Sequence, residues 1–144
     1  MAISTALALA AAEWIAAGVL RSPGEQAAIR AGVPWDARDR LEVVQEARKN
    51  DANWFPAVPA NTYLERPLLV DGKRVIPLGG VANAHVVGCN ENGYFSTFST
   101  DEFGFNNPAG AFSAAGPKVF FLGDSFTQGD CLRQGETIVD RVRA

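Results

Sequence analysis

Ser125 is the side chain of this sequence best placed to do chemistry. It sits in Gly123-Asp124-Ser125-Phe126-Thr127-Gln128-Gly129, directly after the unbroken apolar run Val119-Phe120-Phe121-Leu122. Such a run reads as a strand buried on both faces. From about Glu136 the chain reads as a helix, with Ile138, Val139 and Val142 apolar. Strand, glycine-flanked turn and helix make the start of a βαβ unit, and catalytic groups of open α/β sheets gather at the carboxyl ends of strands. A hydroxyl in that position can act as a nucleophile while N–H groups of the turn stabilise an oxyanion. Gly123 and Gly129 permit close backbone approach, and Asp124 can pin the turn by accepting backbone N–H. Two further readings of the turn stay open. It can be an ordinary connection in which Asp124 or Ser125 caps the helix, or a phosphate cradle. The chain has no G-x-x-x-x-G-K-[ST], which counts against a P-loop.

A serine hydroxyl is a weak nucleophile at neutral pH unless a base adjoins it. The chain has one histidine, His85, in Val81-Ala82-Asn83-Ala84-His85. It reads as a strand-end or loop histidine. His85, Cys89 and Cys131 lack an evident fourth partner for a metal, so neither metal nor cofactor is expected. Cys89 and Cys131 would pair in an exported chain and stay as thiols in a cytosolic one. Asp101-Glu102 reads as a solvated pair. Asn106-Asn107-Pro108 reads either as a turn or as the border of a cleft.

The elements that must position these groups follow from pattern. Ser22-Pro23-Gly24-Glu25 starts a helix with Ser22 as cap, Pro23 at the first turn and Glu25 closing a capping box; Gly32 stops it. A second helix is expected from Asp36, its cap, to about Lys49, with Ala37, Leu41, Val44 and the stem of Arg48 on one face. Pro56, Pro59 and Pro67 mark residues 50–67 as a connector anchored by Trp54, Phe55, Tyr63 and Leu64. Two hairpins follow, Leu68–Pro77 about Asp71-Gly72 and Val86–Phe98 about Asn92-Gly93. Residues 99–118 form a long loop rich in Gly, Pro, Asn and Ser.

Composition narrows the class. The chain has 144 residues, 47% hydrophobic and 20% charged, with a net charge of −3. That balance fits a folded chain, and a binder of nucleic-acid phosphates would usually be basic. Residues 2–20 carry a single charge, Glu13. As a helix this run would span roughly 28 Å, near the hydrocarbon thickness. It reads as a membrane anchor, as a signal segment lacking its basic start, or as a buried helix of a soluble body. Membrane association through residues 2–20, in a membrane-anchored or exported protein of the cell envelope, is the expectation.

Residues Val119 to Gly129 resemble the first sequence block of the SGNH/GDSL serine hydrolases, with Phe126 at the usual Leu position. Ile76-Pro77-Leu78-Gly79-Gly80, Cys89-Asn90-Glu91-Asn92-Gly93-Tyr94 and Asp101-Glu102-Phe103-Gly104-Phe105-Asn106-Asn107-Pro108 resemble a bacterial subgroup with an N-terminal hydrophobic segment. Asp39-Arg40-Leu41-Glu42-Val43-Val44 is similar to it as well. The resemblance implies an α/β/α sandwich around a small parallel sheet and metal-free hydrolysis of esters or acyl groups. It implies Ser125 as nucleophile, the Ser125 N–H as oxyanion donor, and Gly123 and Asp124 as structural members of the turn. The family's later Gly and Asn oxyanion donors, and its Asp-x-x-His, find no matching positions. By that comparison the chain looks like an N-terminal fragment. Residues 1–21 are a hydrophobic helix, 22–117 a helical and hairpin extension, and 118–144 the incomplete start of the hydrolase domain. Triad members act as a unit, so the chain alone is expected to be a weak or inactive hydrolase of a small ester or acylated carbohydrate. The alternatives are an O-acyltransferase acting on envelope carbohydrate and a non-catalytic module that keeps the turn as architecture.

Overall fold

The computed structural model describes residues 2–19, 21–59, 61–116 and 118–144. Helix α1 covers Ala2–Val19. Its Leu7, Leu9, Trp14 and Ile15 are exposed, so it is not a buried helix over these positions. Among the described residues no helix is long and apolar enough to cross a membrane. Glu13 falls within α1, and a carboxylate near mid-span is costly in hydrocarbon. The transmembrane reading of residues 2–20 is thereby corrected.

Helix α2, Pro23–Ala31, begins at Ser22, whose hydroxyl accepts the Glu25 N–H at 3.1 Å. The expected box is only half made, because the Glu25 carboxylate turns to Arg21 Nε at 3.4 Å. Helix α3 is Arg40–Arg48 and starts later than the sequence pattern indicates. Its cap is Asp39, not Asp36. Asp39 Oδ1 accepts the Glu42 N–H and Glu42 Oε2 accepts the Asp39 N–H, each at 2.8 Å. Asp36 is instead engaged by Arg38, which holds its carboxyl below the ordinary carboxylate range. Of the expected apolar face, Val44 is buried and Leu41 is exposed.

The supposed connector contains a strand. β1, Trp54–Pro56, and a short helix α4, Thr62–Glu65, interrupt it. The first hairpin forms as expected, with β2 Leu68–Val70 antiparallel to β3 Lys73–Val75. Asp71 and Gly72 both take left-handed backbone, φ 49° and 73°, as a two-residue D-G turn requires. The second hairpin is offset. β4 is His85–Val87 and β5 is Thr97–Ser99, with His85 opposite Ser99 and Val87 opposite Thr97. Gly88 N–H to Ser96 O (2.7 Å) and Ser96 N–H to Cys89 O (3.0 Å) extend the pairing toward the loop. β1 joins β4 in parallel with Trp54 opposite His85, giving a mixed sheet in the order β1-β4-β5.

The core gathers on this sheet. Val86 and Val87 of β4 are buried with Ala84, and Val44 of α3 is buried as well. Arg48 extends α3 onto β1, donating to Trp54 O at 2.6 Å and lying 5.0 Å over the Phe55 ring. The fold is α/β, with helices and small sheets.

Lys118–Leu122 departs from expectation. It forms no strand among the described residues. Val119 and Phe120 are each 71% exposed and Leu122 is 94% exposed. It pairs with neither sheet, so no ladder satisfies its backbone, and its apolar side chains are left exposed. The reading as a first parallel strand buried on both faces is corrected. Helix α5 is Ser125–Gln128 and helix α6 is Ile138–Arg143. α6 begins two residues after Glu136, at a capping box made by Thr137 and Asp140.

Candidate active site at the 123–129 turn

Ser125 opens α5, and its side chain is exposed. Asp124 is the cap. Its carboxylate accepts the Phe126 N–H at 3.0 Å, the role the sequence offered it as a pin of the turn. Gly123 is required by contact, since a Cβ there would collide with the Thr127 hydroxyl. Gly129 closes the helix at φ 73°, and a Cβ on it would strike the Thr137 methyl. The turn is therefore folded tightly on itself and against the cap of α6.

Several contacts fasten this turn and the residues after it to the rest of the molecule. A disulfide joins Cys89 to Cys131, with Cα atoms 4.9 Å apart. Asn92 Nδ2 donates to Cys131 O at 3.1 Å. The Arg133 guanidinium lies 4.0 Å over the Tyr94 ring. Asn106 Nδ2 donates to Gln128 O at 3.3 Å, so the Asn-Asn-Pro segment does border the turn. Asn107 bridges Asp101 Oδ2 and Arg143 Nη2, each at 2.9 Å.

Asp101 is not solvated. It is fully buried, and its Oδ1 accepts the Phe103 and Phe105 N–H groups at 2.9 Å. Burial pushes its carboxyl up, but Asn107 and the backbone N–H donors outweigh that and leave it lowered. Sequence reasoning missed this role because the donors are backbone groups, which residue type does not announce.

His85 opens β4, as a strand-end histidine should, and its ring faces other partners than Ser125. Its Nδ1 lies 3.0 Å from Ser99 Oγ, and its Nε2 lies 3.6 Å from Asp51 Oδ2. Neither Asp51 nor Ser99 stands out in the sequence. The signal for Ser99 was the hairpin register, which a shift in loop length concealed. Cys89, Asp130 and Cys131 bring their ligand atoms within 4.8 Å of one another. The two sulfurs are bonded to each other, which leaves no thiolate to hold a metal.

No family model, curated protein or solved structure matches the chain. The likeness to the SGNH/GDSL hydrolases thus rests on the quoted residues alone, and neither hydrolase activity nor a sandwich fold gains support from known proteins.

Proposed function

We propose that Ser125 is the acyl-accepting nucleophile of an SGNH-type ester or acyl hydrolase. One observation carries the reading: the serine of the Gly-Asp-Ser block is the exposed first residue of a helix whose cap is the preceding Asp124. Such a turn presents a hydroxyl to a substrate carbonyl while the aspartate spends its hydrogen bonds on the backbone. The α/β/α sandwich implied by the resemblance belongs to the same proposal. Among the described residues no base is hydrogen-bonded to Ser125, so the acylation step is slow in this chain by itself. The pairing of Cys89 with Cys131 favours an oxidising compartment and hence export.

The reaction is acyl transfer to Ser125 Oγ, loss of the alcohol, and hydrolysis by water. Its test is to trap the acyl group. The chain is incubated with p-nitrophenyl butyrate, quenched in acid, and digested for mass mapping. A butyryl group on the peptide containing Ser125, absent in Ser125→Ala, is expected. Its absence from that peptide in the parent chain would return the turn to architecture alone.

A further inference from the structure

A second serine in this molecule has what Ser125 lacks. Ser99 Oγ lies 3.0 Å from His85 Nδ1, and His85 Nε2 lies 3.6 Å from Asp51 Oδ2. We propose that Asp51, His85 and Ser99 form a separate nucleophilic site that transfers small acyl groups from activated esters to Ser99 and on to water.

The three residues come from different segments, and each is held. Ser99 ends β5 directly across from His85, at the start of β4. Trp54, opposite His85 on the other side, stacks on the imidazole with ring centres 4.9 Å apart. His85 N–H donates to Asn53 O at 2.9 Å, which ties β4 to the loop that carries Asp51. Asp51 Oδ1 accepts the Asn53 N–H at 2.9 Å, so the carboxylate is fixed by one oxygen and offers the other to the ring.

In the proposed reaction the neutral ring carries its hydrogen on Nε2, facing Asp51, since a carboxylate only accepts. Nδ1 is then the acceptor for the Ser99 hydroxyl proton. A nucleophile, a base within hydrogen-bond reach and a third group orienting the base are the parts such catalysis needs. The Asp51 contact is longer than a hydrogen bond, and unliganded catalytic contacts are often long and tighten on binding. Ser99 N–H donates to Gln134 Oε1 at 3.3 Å. This contact ties the backbone at the nucleophile to the chain after the Ser125 turn. Ser99 is half-buried, and the ring and carboxylate are 43% and 47% exposed, so a small ester can reach them.

In the first step Ser99 Oγ bonds to the carbonyl carbon and its proton moves to His85 Nδ1. The bond to the leaving alcohol breaks and His85 returns the proton to it. Water then attacks the acyl-serine, His85 takes the water proton, and that proton restores the Ser99 hydroxyl as the carboxylic acid departs. Ester and water become acid and alcohol, with no oxidant, metal or cofactor in the balance.

The whole chain is treated with p-nitrophenyl acetate, following nitrophenolate release and mapping acetyl groups by peptide mass. Acetyl on Ser99 is expected, lost in Ser99→Ala and retained in Ser125→Ala. His85→Gln lowers the Ser99 acetylation rate about 100-fold and Asp51→Asn about tenfold. Asp51 is exposed, and Asn there keeps the acceptor for Asn53 N–H, so that variant retains the fold even if His85→Gln does not. No acetyl on Ser99, or a Ser99 rate unchanged by Asp51→Asn and by folded His85→Gln, would overturn the proposal. Because the adducts are located by peptide, failure at Ser99 and failure at Ser125 are separate results.

Discussion

Asp101 shows how much a single buried carboxylate organises. It receives two backbone N–H groups and the Asn107 amide, and Asn107 passes the connection on to Arg143 of α6. Its ionised form is favoured in the folded chain, so its pKa there is lowered from the ordinary aspartate value. A lowered folded pKa gives stability that is present above the unfolded value, about 3.9, and is lost as pH falls through the folded one. Asp140 is lowered as well; burial pushes it up, and Thr137, Gly135 N–H and Arg143 together push it down further. Urea unfolding followed from pH 7 to pH 2 is expected to show stability falling below about pH 4. Asp101→Asn is expected to flatten that acid limb and to cost about 1–3 kcal/mol at neutral pH, through a buried group left poorly matched to its donors. Gly129→Ala is expected to cost about 1–3 kcal/mol in the same assay, since it combines left-handed backbone with a clash on Thr137. The Gly-Asp-Ser turn itself was legible from sequence, because glycine and a capping aspartate act locally. Asp101 was not, because its environment is made by a loop folding over it.

Among the elements, α3 illustrates a competition between caps. Asp36 and Asp39 each precede an acidic residue by three positions, and sequence pattern favours the longer helix. Asp39 with Glu42 wins because both halves of the box close at 2.8 Å, while Asp36 is taken by Arg38. Asp39→Ala is expected to lower stability by about 1 kcal/mol, with loss of helical signal in circular dichroism; Asp36→Ala should leave that signal unchanged. β1 escaped the sequence reading because Pro56 marks a breaker, yet the strand is only three residues long and Pro56 is its last. Val119–Leu122 is the opposite case. Its residue types are those of a central strand, but strand formation needs a neighbour, and it pairs with neither sheet. Apolarity specifies a wish to be covered; it does not specify the cover.

Across the whole molecule, the Cys89–Cys131 disulfide is the covalent bond between the sheet-bearing body and the Ser125 turn. It closes a loop with a sequence separation of 42 residues, for which the chain-entropy relation gives about 4 kcal/mol. Cys89→Ser is expected to lower the unfolding midpoint accordingly, and reduction by dithiothreitol should do the same in the parent chain but not in the variant. The same bond fits the proposed export, whereas no helix among the described residues is long and apolar enough to cross a membrane.

Ser125, as proposed, is a nucleophile by position and is slow for want of a base. Reaction with a fluorophosphonate, mapped by peptide mass over time, tests it most directly. An adduct on Ser125 is expected that forms over hours, after any on Ser99 but ahead of the other exposed serines, and disappears in Ser125→Ala. A Ser125 adduct complete within minutes would contradict the missing base, and no preference for Ser125 over the other exposed serines would contradict the nucleophile.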